Sequence, residues 1–136
     1  MANRKIAKEF LNVTVASVSS EAGSFAKENM LDRTSPQKHW RSTATTEQNV
    51  VIDLGADMTA VTAYMDWVNF ATVKYQESAS AGGPWDDVTG NLAVEMDPMH
   101  GVYRRRDELT LTTKRYMRIL IPTQTPADGA AYFRIG

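Results

Sequence analysis

The chain of 136 residues has no cysteine, only two histidines and almost no net charge. Without cysteine, neither a disulfide staple nor thiol chemistry is available, and the absence agrees with assembly in a reducing cytoplasm. His39 and His100 lie in different segments, and neither belongs to an H-E-x-x-H or nucleophile-base pattern, which leaves no zinc or hydrolase signature. No serine occupies a G-x-S-x-G elbow, and no glycine-rich stretch resembles a phosphate-binding loop. Fifteen basic residues against sixteen acidic ones give a formal charge of −1. No overall field therefore draws the chain to nucleic acid or an anionic membrane. No apolar run reaches the length of a signal-peptide core or a membrane span, so neither secretion by the usual route nor membrane insertion is encoded. The sequence announces no enzyme.

What is present is ordinary for one folded domain: 43% hydrophobic and 23% charged residues in a chain of common domain length. Such a chain buries roughly two thirds of its unfolded surface, enough to order itself without disulfides. Its periodicity is two. Val13 to Val18, Val50 to Leu54, Val61 to Trp67, Val73 to Glu77, Leu109 to Thr113 and Tyr116 to Ile121 are short, rich in branched or aromatic residues, and bounded by Gly, Pro, Asp or Asn. Turn signals at Ala81-Gly82-Gly83-Pro84, Thr89-Gly90-Asn91 and Ala127-Asp128-Gly129 separate such runs. The pattern predicts an antiparallel all-β sandwich or barrel. Helix is confined to a turn or two within Ser24 to Leu31. Residues 1–12 read as an N-terminal arm with basic side chains, and 13–136 as the sandwich. Tyr132-Phe133-Arg134-Ile135 begins a strand that stops at Gly136, predicting either a very short edge strand or a last strand that is truncated.

Isolated chemistry-bearing groups have bland readings. Asp86-Asp87 after Trp85, and Glu95 and Asp97 around Met96, read as solvated loop carboxylates rather than an acid-base pair. Arg104-Arg105-Arg106 is the only concentrated basic patch, and on a strand its charges alternate between faces.

The order of several motifs says more. Asn29-Met30-Leu31-Asp32, Trp40-Arg41-Ser42, Val51-Ile52-Asp53-Leu54-Gly55, Trp85-Asp86-Asp87-Val88, Lys114-Arg115-Tyr116-Met117-Arg118-Ile119 and Phe133-Arg134-Ile135-Gly136 follow one another. Together, from about Ala16 to the last residue, they resemble the discoidin family, or coagulation-factor type C domains, which are galactose-binding-like β-sandwiches. The resemblance implies a jelly roll of about eight antiparallel strands, with the Asp-Leu-Gly strand central and the Trp40 loop closing one end. It makes Trp40 and Tyr116 core or core-edge anchors. Asp53 and Arg118 stand on otherwise apolar strands, where an unpaired charge is costly, so they are expected to pair with each other or with backbone groups.

Many family members hold a structural calcium at the Asn-x-x-Asp loop, for which Asp32 and Thr34 are the matching residues. Arg33 and the end of the chain at Gly136 depart from that pattern. No other cofactor is implied. Sugar- and lipid-binding members use loops at the sandwich tip, where the counterparts are His39, Trp67, Asn69, Phe70, Tyr103 and Arg105, with Phe70 as the exposed contact.

Two functions follow from the resemblance. Asn49 to Gly55 and Ala131 to Gly136 look like discoidin-type domains of tailed-phage virion proteins. On that reading the chain is a non-catalytic tail, baseplate or capsid accessory part, assembled in the host cytoplasm and localised to the virion. It would contact other virion proteins and copies of itself, with residues 1–12 docking on a neighbour. The alternative is a glycan-binding, receptor-recognition module that uses the tip loops on a cell-surface glycan.

Overall fold

A computed structural model describes residues 13–31, 38–97 and 102–136. The expected arm, residues 1–12, the candidate calcium ligands Asp32 and Thr34, and His100 lie outside them. Nine strands run through the described residues: β1 (Thr14–Val18), β2 (Trp40–Arg41), β3 (Gln48–Val68), β4 (Thr72–Ser78), β5 (Asp86–Asp87), β6 (Leu92–Ala93), β7 (Glu95–Asp97), β8 (Val102–Ile121) and β9 (Arg134–Ile135). One 3-10 segment, Lys27–Leu31, falls where a helical turn was predicted.

The fold is an antiparallel jelly-roll sandwich framed by its two longest strands. β3 and β8 pair from Gln48↔Ile121 to Val68↔Tyr103, with interruptions after Asp53, after Met58 and again after Met65. Before the first interruption, β1 lies on the β3 side and β4 with β5 on the β8 side; beyond it, β7 takes over beside β8. The sequence suggested two strands in each of these long elements. Gly55 explains why pairing continues: at φ 84 it adopts a left-handed backbone open to glycine, so the strand bends without ending. Thr113 bends β8 at the same level with φ 65, and the buried Glu77 carboxylate accepts the Thr112 amide at 3.0 Å beside it.

Alternation fills the interior. Val61, Ala63 and Met65 point inward between exposed Thr62 and Tyr64, and meet Leu109, Leu111, Met117, Ile119 and Ile121 from β8. Tyr75 and Val73 of β4, with Phe70 and Phe133, complete this core. At one end, β2 and β9 form a two-residue ladder, Trp40↔Ile135 and Arg41↔Arg134. Trp40 is fully buried and donates its indole N–H to the Ser20 carbonyl at 2.9 Å, while Arg41 and Arg134 face the other way.

Two expectations about β3 and β8 are corrected by the register. Asp53 and Arg118 do not pair with each other, although Asp53 meets the backbone alternative through the Gly55 amide. Asp53 stands opposite Tyr116 at the end of an unbroken stretch of ladder, where Arg115 reaches it with two hydrogen bonds of 2.9 and 3.1 Å and the Gly55 amide donates at 2.8 Å. Arg118 stands opposite Val51 and Gln76; it donates to the Gln76 side chain at 2.8 Å and lies 4.8 Å from the Trp85 ring centre. Tyr116 shares the outward face of Arg118 rather than the inward face of Met117 and Ile119, so it is half-buried and stands outside the core. The core tyrosine is Tyr75 on β4.

Trp40→Ala should lower unfolding free energy by about 3–5 kcal/mol, read from urea denaturation. The Arg115 hydrogen bonds, then the Gly55 amide, hold the Asp53 carboxyl below its ordinary value of 3.8. A carboxyl depressed in the folded state contributes stability above its unfolded pKa and loses it as pH falls through the folded value. Asp53→Asn should therefore flatten the decline of the urea midpoint below about pH 4, leaving the midpoint at pH 2 close to that of the parent.

Candidate functional site

The last interruption of the β3–β8 ladder builds a cleft. Between Met65 and Val68 the register slips, so that three steps along β3 match two along β8. The extra residue makes a bulge that swings the strand and re-aims its side chains. Trp67, inside this bulge, has φ 49. A bulky residue held there costs on the order of 1–3 kcal/mol and persists only where its surroundings enforce it. They do: the Trp67 amide donates to Asp66 Oδ1 at 2.8 Å, its carbonyl accepts Arg134 Nε at 3.1 Å, and the Gly136 amide donates to the Asp66 carbonyl at 3.1 Å.

Beyond the bulge, Val68, Tyr103 and Met96 lie side by side on β3, β8 and β7, a cross-strand row that forms an apolar floor. Ala127, Asp128 and Arg134, from the segment leading into β9, make the facing wall, with Trp67 and Asn69 closing it. The cleft holds about 210 Å³. Met96 is 51% exposed at its mouth.

Asn69 pins the wall. Only 1% exposed, it donates Nδ2 to the Tyr132 carbonyl at 2.9 Å and to Asp128 Oδ1 at 3.3 Å, and it accepts the Arg134 amide at 2.7 Å. Asp128 also accepts the Ala130 amide at 3.2 Å and Arg134 Nη1 at 3.4 Å. These contacts are long and all from donors, and a carboxylate has further lone pairs to offer. Asp128, with its side chain 40% exposed, is thus an acceptor open to a ligand hydroxyl.

Behind the cleft runs a stack of rings and guanidinium groups. Arg134 lies 4.6 Å from the Trp67 ring centre, the edge of Trp67 meets His39 at 5.1 Å, and His39 stacks on Phe25 at 4.9 Å. Arg41 covers Phe25 at 3.8 Å and the Tyr132 ring at 4.3 Å, and its Nε donates to His39 Nε2 at 2.8 Å. These contacts fix Trp67 from behind.

Of the predicted residues, Trp67, Asn69 and Tyr103 line the one cleft and His39 supports it from behind. Phe70 is not an exposed contact: it is fully buried, edge-on to Phe133 at 6.0 Å, because strand β3 ends before it and turns it into the core. Arg105 is withdrawn as well. Its position on β8 points inward, where it holds Asp107 through bonds of 2.7 and 2.8 Å and also donates to the Ala93 carbonyl. Asp107 in turn accepts the Tyr75 hydroxyl at 3.1 Å. Burial, with the Asp107 charge beside it, pushes the Tyr75 phenol upward, so it stays a donor and the three groups brace the interior. Met96, Asp128 and Arg134 were missed as site residues. Asp128 was visible only as part of a turn signal and Arg134 only as part of a terminal strand; nothing local says that the two ends meet. Among the described residues, no group of three acidic or histidine side chains is placed to hold a metal.

No protein-family model matches the chain, and no curated protein matches it by sequence. Solved structures do match in fold. A module named CBM32-3, from a family 31 glycoside hydrolase of Clostridium perfringens, is similar with a TM-score of 0.66 at 15% identity, over 91% of this chain and 90% of that one. Chitosan-binding module 1 from a chitosanase/glucanase of Paenibacillus sp. IK-5 gives 0.57 at 22% identity, over 92% and 91%. Reduced XRCC1, solved bound to the catalytic domain of DNA polymerase β, gives 0.59 at 21% identity, over 90% and 93%. Carbohydrate-binding modules are thus among the structures that share this fold, and at such identities the likeness is one of fold.

Asn69→Ala would strand the Arg134 amide and the Tyr132 carbonyl in a buried place. At about 1–3 kcal/mol for each unmet group, the variant should lose roughly 2–5 kcal/mol in urea denaturation, with amide exchange at Arg134 accelerating before the core of β8.

Proposed function

We propose that this domain is a glycan-binding module and that the cleft over Val68, Tyr103 and Met96 is its sugar site. The observation that carries the reading is the bulge at Trp67: a strained backbone, held by three hydrogen bonds, that opens a small half-apolar cleft at a sandwich end. An apolar floor takes the C–H face of a sugar ring, and Asp128 and the Arg134 guanidinium on the rim meet its hydroxyls. The cleft is short and open at the Met96 end, which suits one sugar residue rather than a run of a polysaccharide. Its groups bind and orient, the role of a non-catalytic module. Likeness of fold to carbohydrate-binding modules supports this reading. The virion-assembly reading gains no support from the cleft or from these likenesses.

A glycan array followed by calorimetry on the best hits tests the proposal. Asp128→Ala and Tyr103→Ala should each weaken binding at least tenfold, while the thermal midpoint of Asp128→Ala stays within a few degrees of the parent. Binding that survives both substitutions would place the sugar elsewhere.

A further inference from the structure

Arg41 stands out among the described arginines. Each of the other six has a carboxylate or amide oxygen within 4.0 Å. Among the described residues Arg41 has none: its guanidinium donates to a ring nitrogen of His39. Arg41 is half-buried, and among the described residues neither Nη1 nor Nη2 makes a hydrogen bond. Yet the group is held in place. Phe25 and Tyr132 both lie against the guanidinium, His39 fixes Nε, and the Arg41 amide and carbonyl bond to Phe25 and Ala22 of the preceding turn. A guanidinium fixed at Nε, with its outer edge free, presents two parallel donors, the geometry that matches a carboxylate.

Its position adds a second argument. Arg41 is the cross-strand partner of Arg134, which lines the cleft. The two side chains share one face, and like charges directly opposite are unfavourable. Arg134 is offset by Asp128 at 3.4 Å, whereas Arg41 has no offsetting carboxylate among the described residues. Opposed residues have Cβ atoms roughly 5 Å apart, so Arg41 adjoins the cleft wall at Arg134 without lining the cleft itself, and a carboxylate reaches it from a sugar that extends past that wall.

We propose that Arg41 reads a carboxylate on the glycan, making the preferred ligand an acidic sugar of the uronic type. This rests on the glycan reading of the cleft. The Phe25 and Tyr132 rings remove the freedom that a solvated arginine would lose on binding, so the fork is ready when the sugar arrives.

The test uses matched pairs, galactose with galacturonate and glucose with glucuronate, titrated against the isotope-labelled domain and followed by amide chemical shifts. In the parent, one acid should bind about tenfold tighter than its neutral partner, with shifts at Arg41 and Tyr132 and a preference that shrinks on raising salt. Arg41→Gln should abolish the preference. Arg41→Lys, which keeps the charge but loses the fork, should reduce it several-fold, and serves if the glutamine variant does not fold. Equal binding of acid and neutral sugars, or a preference that survives Arg41→Gln, overturns the role of Arg41 and leaves the cleft standing. Acid binding that survives Tyr103→Ala but not Arg41→Gln supports the carboxylate site and overturns the cleft. Failure of all four sugars to bind overturns both.

Discussion

The pairing of β3 with β8 is the constraint from which the rest of the structure follows. These two strands run side by side for most of their length, and every other strand in the main sheet is attached to one of them or to β4, itself hydrogen-bonded to β8. A ladder this long twists, and a straight one would leave its apolar face uncovered. Bending it near Gly55 and Thr113 brings Val61, Met65 and Leu109 from one half into the same core as Val50, Ile119 and Ile121 from the other. The sandwich closes on itself through two strands more than through many.

Where the ladder slips again, a cleft opens. The slip at Asp66 and Trp67 turns a regular strand end into a cleft, and it is sustained by groups distant in sequence: Asn69, Asp128, Tyr132 and Arg134. Polar side chains here divide into two kinds. Asn69, Arg105, Asp107 and Tyr75 spend their hydrogen bonds on the protein and fix its shape. Asp128 and Arg41 keep capacity in reserve. The difference is not one of residue type, since Arg105 and Arg41 carry the same fork. It is set by whether a carboxylate of the chain lies within reach, as Asp107 does for Arg105.

Much of the fold was legible from period-two alternation and turn chemistry, because a side chain's face on a strand is fixed by parity. Val61 to Trp67 was legible as a strand for that reason, and the structure turns its Val61, Ala63 and Met65 inward. Size and motif misled at Tyr116: they suggested an anchor, whereas parity places it with Arg118 on the outer face. Splitting β3 at Gly55 failed differently, since a glycine that ends one strand and a glycine that bends another look alike in sequence. Of the site, Trp67, Asn69 and Tyr103 were legible as candidates, as polar or aromatic residues near strand ends. Phe70, their neighbour, was misjudged because exposure depends on what packs above it, here Phe133 from the far end of the chain.

The sequence by itself determined the all-β class, the absence of cysteine chemistry, the inward-facing residues of the regular strands and the small set of aromatics near the tip. These properties are local or compositional, carried by alternation and by which side chains exist at all. Tertiary structure alone decided that Asp53 meets Arg115, that Trp67 is held in a bulge, that Met96 and Asp128 line one cleft, and that Arg41 is clamped with no counter-ion among the described residues. Each depends on register and on contacts between segments dozens of residues apart, and a one-residue shift in pairing exchanges every inward side chain for an outward one.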